Sequence, residues 1–126
     1  MIAYLDTNVV VWLAQGSHDR ISNRAQALLE EAELLISPMV LLELEYLFEV
    51  QRIKFPAQDL LSKLEYEVGL RVCDLPFARI AKAALSEKWT RDPFDRVIVS
   101  NAKANGLSTL VSPDGEILGN YPKTVW

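Results

Sequence analysis

Short apolar runs alternate along this chain with apolar residues at helical spacing, and that alternation dictates its organisation. Ile2 to Leu5 is an apolar run ending at Asp6-Thr7-Asn8, three residue types that cap helices, and Val9 to Ala14 continues as a short helix. Ile21, Ala25, Leu28, Leu29 and Ala32 form a helical stripe leading into the strand Leu34-Leu35-Ile36. Ser37-Pro38 supplies a cap and a first-turn proline for a helix running to about Ile53. Pro56 opens a helix to about Tyr66, Leu70 to Cys73 is a third strand, and Pro76 to Trp89 is helical again. Asp92-Pro93 starts a long helix that stops at Asn105-Gly106, followed by strand Ser108 to Val111 and a tail closing on Val125-Trp126. Short apolar strands separated by helices predict an α/β fold, with a mostly parallel central sheet and helices on both faces. Ligands of such sheets bind beyond the carboxyl ends of the strands.

Composition narrows the picture. The 126 residues suit one domain, 1–126, and show no internal repeat or Gly- or Ser-rich linker. With 50% hydrophobic and 24% charged residues, disorder and coiled coils are poor readings. The 17 acids against 13 bases give a net charge of -4, so nucleic-acid binding cannot rest on bulk charge and has to come from a local site. Cys73 is the sole cysteine, and no apolar run reaches the ~20 residues of a membrane helix. A cytoplasmic protein with no membrane association is expected.

Several carboxylates do not behave like surface charge. Asp6 ends the first strand, where it is either a helix cap or a group aimed into the crevice. Glu43 lies about 200° around its helix from Glu45, whereas Glu45, Glu49 and Arg52 cluster as a solvent stripe. Its neighbours one turn away are Met39, Val40, Tyr46 and Leu47, and a carboxylate entering an apolar face needs a partner or a proton. Asp92 and Asp95 stand one turn apart at a helix start, Asp92 as a cap candidate. Asp95 shares its stripe with Ile98, Val99 and Ala102, while Arg96, Ser100 and Lys103 form a polar one. Asp114 sits in Ser-Pro-Asp-Gly, an ordinary turn by itself, but one that follows a strand. Parallel strands would bring these acids to one sheet edge. Unpaired they repel, so the cluster is tolerable chiefly around hard divalent cations; with no His or Cys among them, Mg or Mn is expected.

This constellation resembles the PIN-domain nucleases, and among them the VapC-type toxins of bacterial toxin-antitoxin modules. Tyr4-Leu5-Asp6-Thr7-Asn8 is similar to the opening motif, and Ile36-Ser37-Pro38 through Glu43 to the second acidic element. Arg91-Asp92-Pro93-Phe94-Asp95-Arg96 is similar to the third, and Leu110-Val111-Ser112-Pro113-Asp114 with Tyr121 and Trp126 to the closing pattern. The resemblance spans essentially the whole chain. It implies metal-dependent cleavage of RNA, with the acidic quartet on Asp6, Glu43, Asp95 and Asp114, and Asp92 as an additional acid. Thr7, Asn8 and Arg96 are the expected substrate contacts, and Lys103 is a further candidate for backbone phosphate. His18 reads as a loop residue, and Trp12, Trp89 and Trp126 as core or interface.

Competing readings remain at this level. A haloacid-dehalogenase-type phosphotransferase needs a second Asp two places after Asp6, and position 8 is Asn. A phospho-receiver domain could use Asp74, but lacks an acidic pair after the first strand. An inactive PIN-fold binding module keeps every acid. The helix from Met39 to Val50 is apolar on nearly every face, with Leu41, Leu42 and Phe48 around Glu45, and that predicts a partner surface. The resemblance supplies two occupants, a second copy of the chain forming a homodimer and a cognate antitoxin.

Overall fold

The computed structural model describes all of residues 1–126. In chain order the elements are β1 Ile2–Leu5, α1 Thr7–Gln15, α2 Asn23–Glu31, β2 Glu33–Ile36, α3 Pro38–Glu49, α4 Ala57–Val68 and β3 Arg71–Val72. α5 Phe77–Ala84, α6 Pro93–Ala104, β4 Thr109–Val111, α7 Gly115–Asn120 and β5 Thr124–Val125 follow, and a single 3-10 turn, His18–Arg20, lies between α1 and α2. The strands form one sheet in the order β3-β2-β1-β4-β5, and every pairing is parallel. Ala3, Tyr4 and Leu5 are all fully buried, as a central parallel strand must be when helices cover both faces of its sheet. Register follows: Leu5 pairs with Val111, so the residues just past them, Asp6 and Ser112, emerge side by side.

Six of the seven helix starts have an identifiable cap. Ser22, Ser37, Asp92 and Asp114 accept backbone N–H bonds in the first turns of α2, α3, α6 and α7, and Asp6 accepts from Thr7 N at α1. α4 begins at Pro56, which has no side-chain oxygen to offer. Glu45 on α3 fills that role, accepting from Ala57 N at 3.0 Å. Glu45 is therefore not part of a solvent stripe with Glu49 and Arg52, because it is half-buried between two packed helices.

The chain departs from its sequence pattern at four further places. α3 stops at Glu49 rather than near Ile53, because Gln51 adopts a left-handed φ of 63° and the chain turns back to start α4. α5 ends at Ala84 rather than Trp89. Beyond it Glu87 is buried, accepting from Lys103 Nζ at 2.5 Å and Trp89 Nε1 at 2.6 Å, so the run to Arg91 is tied along α6 instead of continuing the helix. The expected polar stripe of α6 is not solvated either: α5 packs on α6, Ser100 is fully buried and Lys103 is engaged by Glu87. Finally, the tail after Asp114 holds α7 and β5, elements too short for a periodic signal. Fully buried Ile117 pins α7 to the core, and β5 pairs Thr124 and Val125 with Leu110 and Val111.

Among the apolar residues of α3, Leu41 packs against the core and Phe48 is half-buried, so neither forms the outer surface. Leu42, Tyr46 and Val50, one turn apart, do. No helix is long and apolar enough to cross a membrane.

The burial of α7 has a measurable consequence. Ile117→Ala should destabilise the protein by about 2–4 kcal/mol in denaturant titration, while the same truncation at partly exposed Leu118 should cost less than about 1 kcal/mol. Equal effects would mean that α7 is not a core element.

Candidate active site

Because all five strands run the same way, β1, β2 and β4 deliver their following loops to one edge, and four helices, α1, α3, α6 and α7, begin there with an acid or a serine as cap. Asp6 leaves β1 and is buried at 7% exposure. Its backbone N–H donates to Val111 O at 3.0 Å, continuing the β1–β4 ladder by one residue. Each of its oxygens takes a different donor: Oδ1 accepts from Thr7 N at 2.8 Å, and Oδ2 accepts from Ser112 Oγ at 2.6 Å. Fully buried Ser112 in turn accepts from Asp114 N at 3.1 Å, so one hydroxyl ties Asp6 to the loop that carries Asp114. Glu43, about one and a half turns into α3, is half-buried and accepts from the Thr7 hydroxyl. Asp95 is half-buried on α6, and Asp92 stands exposed at its cap, accepting from Phe94 N at 2.8 Å. Asp114 is half-buried and accepts from Glu116 N and Ile117 N.

These acids feel one another. Burial raises the carboxyl of Asp6 above its ordinary value, and the charges of Asp114 and Asp92 add to the rise against the hydrogen bonds from Ser112 and Thr7. Glu43 is raised by burial, opposed by Thr7 and reinforced by Asp6 and Asp92. Asp95 is pushed up to about 7 by burial first, then by the charges of Asp92, Asp6, Asp114 and Glu43. All five sequence-predicted acids thus form one electrostatic cluster. No Lys or Arg offsets them, for the only ion pair in the protein joins Lys103 to Glu87.

The other predicted residues are placed as follows. Thr7 is buried with its hydroxyl given to Glu43, while Asn8 is exposed in the first turn of α1. Arg96 is half-buried and its Nε donates to Thr90 O at 2.8 Å, which fastens the preceding loop to α6. Asp74 is exposed beyond β3, the edge strand, and exerts no charge effect on the cluster; a receiver-type site on it has no support. Trp12 packs on Trp126 with ring centroids 5.9 Å apart, and His18 lies in the 3-10 turn. The sequence pattern did not single out the hydroxyls of Thr7 and Ser112 as holders of Glu43 and Asp6. The usable signal was Ser112 at a strand end two residues before an acid.

A hard divalent cation suits this donor set, which is all oxygen and carries buried negative charge without a protein counter-charge. As the side chains stand, no three acids are gathered into a ready-made site for an ion.

Since the folded Asp95 takes up its proton more readily than the unfolded chain, the native state binds more protons between about pH 4 and 7. Stability is therefore lost as pH rises through that window. Asp95→Asn should match the parent protein near pH 4 and exceed it at pH 8, by about 1–2 kcal/mol after allowing for solvent screening of a half-buried group. Thermal melts in chelator at the two pH values check this. A gap that does not widen with pH would show that Asp95 carries no such strain.

Comparison with known proteins adds the lineage. The PIN domain family model matches residues 3–120. Among solved structures, the chain is similar to a VapBC2 complex from Rickettsia felis bound to a DNA fragment from its promoter, with 24% identity, TM-score 0.65, and coverage of 99% of this chain and 96% of that one. It is also similar to a toxin-antitoxin complex from Klebsiella pneumoniae, at 18% identity, TM-score 0.68 and 98% and 96% coverage. A third similarity is to FitAcB from Neisseria gonorrhoeae, at 22% identity, TM-score 0.52 and 94% and 91% coverage. Comparison with curated proteins finds no match. A family model covering nearly the whole chain, on an all-parallel sheet whose edge gathers five acids, leaves one assignment: the chain belongs to the PIN domain family.

Proposed function

We propose that this protein is a metal-dependent endoribonuclease and the toxin component of a type II toxin-antitoxin system. The observation that carries the reading is the cluster of Asp6, Glu43, Asp95, Asp114 and Asp92 at one sheet edge with no protein cation among them. Asp6, Glu43, Asp95 and Asp114 are the residues that would hold Mg or Mn. When bound, the ion supplies positive charge that polarises a phosphodiester and lowers the pKa of water for in-line attack. The residues' own part is to present oxygens without competing cations. Asp6 is held by Ser112 and Thr7 N–H, and Glu43 by the Thr7 hydroxyl, so both are oriented by neutral donors that leave their charge available. Asp92, exposed at the start of α6, adds its charge to the field of the cluster. Asn8, exposed in the first turn of α1, and Arg96, beside Asp95, are the proposed substrate contacts, and Thr7 acts through Glu43.

One of the similar structures is a toxin-antitoxin complex, which supports a cognate antitoxin as partner. The exposed row Leu42, Tyr46 and Val50 on α3 supports self-association into a homodimer. Cytoplasmic action follows from a system whose substrate is cellular RNA.

Purified protein incubated with RNA should cut it in Mg or Mn and lose all cleavage in chelator. Asp6→Asn, Glu43→Gln, Asp95→Asn and Asp114→Asn should each abolish cutting without unfolding the chain. Thr7→Val and Ser112→Ala should each lower cleavage or cation affinity roughly 10–100-fold. Full activity in Asp6→Asn would defeat the proposal and leave the inactive binding module as the better reading. For the dimer, Leu42→Asp with Tyr46→Asp should convert a sedimenting dimer to monomer with helix signal retained; a monomeric parent protein would refute it.

A further inference from the structure

The charge of this protein is unevenly placed. Between Leu75 and Arg91 the chain carries four bases, Arg79, Lys82, Lys88 and Arg91, and only one acid, Glu87, in a molecule of net charge -4. All four bases are exposed and none is ion-paired. The lone acid of the segment is buried and already neutralised by Lys103, so it cancels nothing at the surface. Elsewhere the exposed surface leans acidic, as with Glu30 and Glu31 on α2 and Glu65 and Glu67 on α4.

Local structure explains how the bases are displayed. On α5 the buried pair Ile80 and Ala84, one turn apart, faces α6. At about 100° per residue, Arg79 and Lys82 fall about 60° apart on the opposite, solvent side. The following loop returns along α6 and is fastened to it at two points: Glu87 to Lys103, and Arg96 Nε to Thr90 O. The Thr90 hydroxyl also accepts from Asp92 N at 3.1 Å. Lys88 and Arg91 are thus displayed from a fixed loop, and Arg91 directly precedes the cap of the helix that carries Asp95. Aromatic surface is interleaved, with Phe77 48% exposed and Trp89 half-buried.

We propose that the face formed by α5 and the loop to Arg91 is the binding track for the phosphate backbone of single-stranded RNA, feeding the strand into the acidic edge that begins at Asp92. This rests on the nuclease reading of that edge and supplies what the edge lacks. A crevice of carboxylates repels a polyanion, and a cation in it acts only on the phosphate within reach, so the remaining backbone needs fixed positive charge outside it. Exposed bases with neighbouring aromatic side chains suit unpaired nucleotides, whose backbone meets the cations while bases stack on the rings. Rigid attachment of the loop reduces the ordering cost on binding.

The test measures binding of a short labelled oligouridylate to the full chain by fluorescence anisotropy, in chelator so that no cleavage intervenes, across a range of salt. The combined variant Arg79→Gln, Lys82→Gln, Lys88→Gln and Arg91→Gln should bind roughly tenfold or more weakly at low salt. Its plot of log affinity against log salt should flatten by about 2–3, at about 0.7 for each phosphate that is no longer neutralised. A control with the same charge change placed elsewhere, Arg20→Gln, Arg24→Gln, Arg52→Gln and Lys54→Gln, should keep the parent slope. Circular dichroism and melting temperature confirm that both variants fold. The proposal is overturned if the two variants weaken binding equally, if the α5 variant binds like the parent, or if polyglutamate displaces the RNA competitively, which would make the face a site for an acidic protein. The cleavage assay with Asp6→Asn fails or succeeds separately. A parent protein that cuts no RNA, beside an α5 variant that loses binding, sinks the nuclease reading and keeps the track; a cutting parent beside an unaffected α5 variant does the reverse.

Discussion

The parallel register between β1 and β4 is the constraint on which the rest of this protein depends. Leu5 opposite Val111 sets Asp6 beside Ser112, and the bond from Ser112 Oγ to Asp6 Oδ2 is what allows a carboxylate to lie almost fully buried without a counter-ion. A buried charge with no partner costs several kcal/mol, so it either takes a proton or finds donors. Here the donors are neutral: a backbone N–H, the Ser112 hydroxyl and, for the adjacent Glu43, the Thr7 hydroxyl. A lysine or arginine in those positions would stabilise the apo protein better and occupy the space a cation needs. Slipping either strand by one residue would turn Asp6 or Ser112 to the other face and leave the carboxylate unsupported.

Helix starts supply the second means of tolerating the charge. α1, α3, α6 and α7 all begin at this edge, so their free N–H groups and positive dipole ends face the acids. Asp6, Asp92 and Asp114 serve as caps as well as cluster members, which explains why the acids are not mutually fatal to folding. Asp95, which caps nothing with its side chain, is pushed up to about 7 by burial and by the charges of the other four acids.

α6 joins the two halves of the molecule's chemistry. Its outer side holds α5 and the basic loop through Lys103 and Arg96, its inner side packs Ile98, Val99 and Ala102 into the core, and its first turn presents Asp95 to the acids. Because nearly every side of it is covered, side chains that look polar in sequence become interior. Lys103 pairs with Glu87 and lies 5.6 Å from the Tyr121 ring, whereas Ser100 Oγ and Asn101 Oδ1 have no partner at all.

The order of elements as far as β4, the parallel sheet and the gathering of the acids at one edge were legible in the chain itself, because each rests on local physics. Apolar runs of strand length, serine and aspartate caps, first-turn prolines and a carboxylate on an apolar helix face are all properties of neighbours in sequence. What tertiary structure alone decided was where long-range partners meet. The early end of α5 depends on Glu87 finding Lys103, sixteen residues away. The release of Glu45 from the solvent stripe depends on a helix start at Ala57 that lacks its own cap. α7 and β5 exist because Ile117 finds the core and β4 offers an edge to pair with, not through any periodicity of their own. The grip of Ser112 on Asp6 spans 106 residues, and no local pattern can encode a hydrogen bond between strand ends that only sheet register brings abreast.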